Sequence, residues 1–138
     1  MPMEQTSEVT AETEGKTVVV SRTLKQPIKV VWDVLMTDEG AEALLGPGAK
    51  LGAKGQSWRA QNGREGVIRS FHPMEQIRFS YRSKAAVTPS MVAVNLKPSG
   101  DDATEIEIRH SKLGPDIERE WALDRWSGAL ERIESACL

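Results

Sequence analysis

The chain has one cysteine, Cys137, and two histidines, His72 and His110, among its 138 residues. A lone cysteine excludes an internal disulfide and a zinc site built on several thiolates. The two histidines stand far apart, and neither has a carboxylate at a ligand spacing, so neither a metal nor a cofactor is expected. No apolar run approaches the ~18 residues of a membrane span. The sequence shows no basic-then-apolar leader, so the expected compartment is the cytoplasm, with no membrane partner. There is no Gly-rich phosphate loop and no Ser-His-Asp pattern; Gly46-Pro47-Gly48 reads as a helix stop. Basic clusters are missing as well. Net charge is −2, and residues 1–15 hold Glu4, Glu8, Glu12 and Glu14 without a Lys or Arg, which leaves +2 for the remainder. That balance does not suggest a nucleic-acid surface.

What is present suits one soluble domain, with 39% apolar and 28% charged residues and enough length to bury a core without staples. Residues 1–15 are polar, acidic and aperiodic, and read as a flexible tail; the domain is expected over 16–138. Thr17 to Gln26 is β-branched and reads as a strand. Pro27 opens a short helix with Ile28, Val31, Trp32 and Leu35 on its apolar face. Asp38 is the expected N-cap of a second short helix, Glu39 to Leu45.

Five strands are expected next. Gly55 to Gln61 carries Trp58, and Asn62-Gly63 is a hairpin turn leading into Arg64 to His72. In that strand both Val67 and Ile68 are apolar, so it is open whether Arg69 points inward. Glu75 to Ser83 alternates, with Ile77, Phe79 and Tyr81 on one side. Thr88 to Lys97, with Val92 and Val94, is apolar on both sides and reads as central. Thr104 to Ser111 alternates again, with Ile106, Ile108 and His110 inward.

The last stretch, Pro115 to Leu138, reads as one long helix. At about 100° per residue, Ala122, Leu123, Trp126, Ala129, Leu130, Ile133 and Cys137 form one apolar stripe. Asp124, Glu131, Arg132 and Ser135 lie opposite. Trp121 falls off the stripe, which suits a cavity mouth, a subunit contact or plain surface. The order β-α-α-β-β-β-β-β-α implies an α+β fold: a curved six-stranded antiparallel sheet wrapped around the C-terminal helix, with two short helices after the first strand. Such a sheet commonly leaves a cavity against the helix.

Several segments resemble one family. Pro27 to Met36 is similar to a Pro-x-x-x-Val-Trp-x-x-Leu helix, and Thr37 to Gly48 to a Thr-Asp-x-x-Gly helix with its Gly-Pro-Gly loop. Gly66 to Ile77, Thr104 to Ser111, and the positions of Trp126, Leu130 and Ile133 match further elements in order. Together they resemble the SRPBCC (START-like) superfamily with the helix-grip fold. Within it they resemble the Aha-type branch, homologues of the C-terminal domain of a chaperone ATPase activator. Leu44 stands where many relatives have Trp, and Arg125 where many have Gly. The resemblance implies one of several functions: lipid or small-molecule binding, polyketide cyclisation, hormone reception, or chaperone stimulation.

The expected site is a cavity between sheet and last helix, lined by Trp58, Phe79, Tyr81, Val92, Val94, His110, Leu123 and Trp126. The first reading is non-catalytic binding of a small, mostly apolar ligand there, by a monomer or homodimer. The second is a cyclase or dehydratase using His110 and Tyr81 as acid and base. The third is a module that stimulates a chaperone ATPase. His110 has a plainer reading as a core histidine satisfied by its neighbours, and Cys137 one as a small core residue.

Overall fold

Alternating strands need hydrogen-bonded neighbours and a cover on one face, and the chain supplies both. The computed structural model describes residues 10–14, 17–82, 89–113 and 118–137. In chain order the elements are β1 (Thr10–Glu14), β2 (Thr17–Leu24), α1 (Ile28–Leu35), α2 (Asp38–Leu45), β3 (Ser57–Arg59), β4 (Glu65–His72), β5 (Gln76–Tyr81), β6 (Ser90–Pro98), β7 (Thr104–Ser111) and α3 (Arg119–Ala136). The strands form one antiparallel sheet in the order β1-β2-β7-β6-β5-β4-β3. All six expected strands are present. A seventh, β1, comes from the stretch expected to be tail: Thr10 to Glu14 pairs with Ser21 to Thr17 along the edge of the sheet.

The inward face carries Val18, Val20, Ile77, Phe79, Tyr81, Val92, Val94, Ile106 and Ile108, each at most 1% exposed. The outward face is wet. Gln76 donates to Asn95, and Asn95 to Glu107, across three strands. β6 is central, as expected, but it is not apolar on both sides: Met91, Ala93 and Asn95 are half-buried on the outer face. In β4 a bulge between Ile68 and Ser70 resolves the ambiguous register. Ile68 is fully buried and Arg69 exposed, and beyond the bulge Phe71 turns inward onto Trp32. One extra residue lets the strand aim apolar side chains of both parities at the core.

The helices cover that core. α1 buries Val31, Trp32 and Leu35. The N-cap of α2 is Thr37, not Asp38: its backbone is extended and its Oγ1 accepts from Gly40 N at 3.1 Å. Gly40 allows α2 to sit on the end of α1, since a Cβ there would lie 2.6 Å from Leu35 Cα. The expected helix start at Pro115 falls outside the described residues; Glu118 is extended and occupies the N-cap position of α3, which runs from Arg119, without a side-chain capping bond. Ala122, Trp126, Ala129, Leu130 and Ile133 are buried along α3, whereas Leu123 is only half-buried at the margin of the stripe. Toward its C-terminal end α3 is tied to β2 by Arg22 and Glu134 at 3.2 Å.

Candidate functional site

Strand pairing sets the site. Phe79 on β5 faces Val92 on β6, and Val92 faces His110 on β7. Tyr81 lies two residues beyond Phe79 on the same face, and Ser90 two before Val92. Trp126 on α3 descends onto this row. Its ring lies 5.7 Å from Tyr81 and 5.7 Å from His110, and Tyr81 lies 5.3 Å from His110. Trp58 completes the group from β3, 5.8 Å from both Phe79 and Tyr81. These are mostly edge-to-face contacts, the geometry that aromatic quadrupoles favour.

Trp58 reaches inward across Gly66, where a Cβ would stand 2.8 Å from the indole nitrogen. That nitrogen donates to Ser80 O at 3.1 Å. Of the eight expected site residues, the structure therefore joins five in one buried ring cluster and places Val92 beside them. Val94 lies further along the ladder, between Ile77 and Ile108. Leu123 stands apart at the helix margin.

His110 is completely committed. Indole N–H is only a donor, so Trp126 Nε1, 3.0 Å away, donates to His110 Nδ1. The proton of the neutral ring must then sit on Nε2, which donates to Ser90 Oγ at 2.6 Å. The Ser90 hydroxyl in turn donates to Tyr81 O at 2.8 Å. Every donor in this chain has one acceptor. Burial, reinforced by the Arg125 and Arg64 cations, pushes the His110 pKa down to about 3. The imidazole is thus neutral at ordinary pH and offers a ligand neither proton nor lone pair. Ser90 was missed in sequence, although it carried a signal: a polar residue in the inward parity of an apolar central strand.

Two arginines flank the cluster. Arg125 donates to Ala43 O and Leu44 O, both at 3.0 Å, at the C-terminal end of α2, where a cation suits the helix dipole. Its guanidinium also lies 4.4 Å from the Trp126 ring. Arg64, from the β3–β4 turn, lies 4.6 Å over Trp121 and 5.8 Å over Tyr81. Trp121 is half-buried under it, which places this tryptophan at the rim of the cluster.

The rings pack against one another where a cavity was expected, and a cavity of about 420 Å³ lies instead at the β3–β4 edge, lined in part by Trp58, Arg59, Glu65, Val67 and Arg82. Glu65 bridges Arg59 at 2.9 Å and Arg82 at 2.7 Å, and the bond from Arg82 leads in lowering its pKa. Cys137 is buried, and burial, with Glu134 nearby, raises its pKa, which disfavours a thiolate. Among the described residues, no three His, Cys, Asp or Glu side chains converge as a metal site, and no helix is long and apolar enough to cross a membrane.

An antiparallel sheet closed by a C-terminal helix over an aromatic interior defines a helix-grip, START-like domain. Residues 23–137 match the family described as activator of Hsp90 ATPase homolog 1-like protein, and the chain belongs to that family. Solved structures agree on the fold. CalU16 from Micromonospora echinospora superposes with a TM-score of 0.75 at 18% identity, covering 96% of this chain and 87% of that one. PFC0360w of Plasmodium falciparum, described as an HSP90 activator, gives 0.74 at 15% identity, covering 88% and 95%. An Aha1 dimer from Colwellia psychrerythraea gives 0.70 at 13% identity, covering 87% and 94%. A search of curated protein sequences finds no match.

Proposed function

We propose that this domain binds a small, mostly apolar ligand between the sheet and α3 and carries out no chemistry on it. The observation that carries the reading is the ring cluster of Trp58, Phe79, Tyr81, His110 and Trp126, joined across sheet and helix. At its rim the Arg64 side chain lies over Trp121 and Tyr81. This long, flexible side chain can change rotamer without breaking the sheet. The rings touch one another, so a ligand is received by their parting, which lowers its apparent affinity.

The His110 network speaks against the cyclase or dehydratase reading. A general acid or base needs a free nitrogen and a pKa near the working pH, and this ring, held near 3, has neither. The family description and the Plasmodium neighbour favour a second reading, docking to a chaperone ATPase.

The test is titration with an apolar fluorescent probe. One-to-one binding is expected, and Leu123→Trp, at the half-buried helix margin, should block it without changing the circular dichroism spectrum. Absence of binding, or binding that survives this substitution, would turn the account toward the docking reading.

A further inference from the structure

Arg64 is half-buried, and among the described residues its guanidinium meets no carboxylate and donates no hydrogen bond. Its neighbours are the faces of Trp121 and Tyr81. A ring face attracts the charge but fills none of the five donor directions, so among the described residues these N–H groups have no acceptor and are left to solvent. The contrast with Arg59 and Arg82 is direct, since both of those reach Glu65. Arg125 adds a second cation beside the same rings. Two of its N–H groups are spent on α2 carbonyls, so it is fixed in place, and among the described residues it too meets no carboxylate. Both cations lie close enough to act on His110. Among the described residues, two cations without a carboxylate partner therefore lie beside the aromatic cluster in a chain whose net charge is −2.

We propose that Arg64, supported by the charge of Arg125, receives the anionic oxygen head of an otherwise apolar ligand, a carboxylate or a phosphate monoester. The planar fork of Arg64 matches two oxygens of such a head, a pairing stronger than its present contacts with the rings. The apolar body then follows the space Arg64 leaves, over Tyr81 and toward Trp126. This rests on the ligand-binding reading and narrows it to acidic amphiphiles.

The test compares three probes of equal chain length: n-decanoate, decyl phosphate and decanol. Binding is followed by tryptophan fluorescence below the concentration at which the probes form micelles. At least one acidic probe should bind at least tenfold more tightly than decanol, and which of them does so separates a carboxylate from a phosphate head. Arg64→Gln should erase that preference, bringing the ratio of acid to decanol affinity to within about twofold of one whatever happens to decanol affinity itself, and Arg64→Lys, which keeps the charge but not the fork, should retain part of the preference. Equal affinity for decanol and the acids overturns the inference while leaving the ligand-binding reading intact. So does a preference unchanged in Arg64→Gln. If none of the probes binds, both fail.

Discussion

At the scale of the residue, His110 decides what the site can do. Its position on an inward strand face was legible from the alternation with Ile106 and Ile108, and this made it a candidate acid–base group. Its partners were not legible. Ser90 and Trp126 lie 20 and 16 residues away in sequence, and only strand pairing and the phase of α3 bring them to the ring. Trp126→Phe keeps most of the buried surface but leaves Nδ1 without a donor. It should cost about 1–3 kcal/mol in urea unfolding and raise the His110 pKa in an imidazole NMR titration, because a nitrogen becomes free to take a proton. A cost within error of zero would contradict the hydrogen bond.

The same residue gives a pH dependence with a definite sign. The folded pKa of about 3 lies below the ordinary 6.5, so between those values the unfolded chain binds a proton that the folded protein does not. The contribution of His110 is complete above the upper value and is lost as pH falls toward the lower one. Across that window the loss is on the order of 5 kcal/mol. Urea midpoints at pH 7 and pH 4 should therefore fall further apart in the wild type than in His110→Gln, where the carboxylate contributions remain but this one is absent. Equal separations would contradict the burial of a neutral histidine.

At the scale of the element, the strands and α1 followed from periodicity, whereas their ends and irregularities depended on contacts. The β4 bulge shows why. Val67, Ile68 and Phe71 fit no single alternation, and the extra residue that reconciles them appears only when β5 is paired alongside. Arg125 is similar. It was noticed as a departure at a helix position, but its role as a cap for α2 requires the two helices to lie side by side. Gly40 gives the element-level prediction. In an exposed helix Gly→Ala stabilises by roughly 1 kcal/mol. Here the added methyl meets the backbone of α1 at Val34 and Leu35. Backbone cannot step aside as a side chain can, so Gly40→Ala should instead destabilise by about 1–3 kcal/mol. A higher melting temperature in the variant would show that α1 and α2 are less tightly apposed than described.

At the scale of the whole molecule, the order of elements and the last helix made the α+β architecture readable, and the family match over residues 23–137 agrees with it. The edge strand β1 was not readable. Acidic composition argued for a tail, and an edge strand paired on one side needs no apolar alternation of its own. Since β1 pairs with β2 over residues 10–14, deleting residues 1–15 should lower the melting temperature by several degrees more than deleting residues 1–9. Equal effects would mean that the edge pairing contributes nothing to stability.

The central claim, binding against the ring cluster between sheet and α3, is tested most directly by the indole N–H signals in a ¹⁵N NMR titration with n-decanoate. The chain has four tryptophans, so each can be followed separately. Trp58, Trp121 and Trp126 belong to the cluster or its rim, whereas Trp32 packs on Phe71 beneath α1. The account predicts that the first three signals shift together and saturate at one equivalent while Trp32 stays in place. Shifts confined to Trp32 or to the outer strands, or none at millimolar probe, would contradict it.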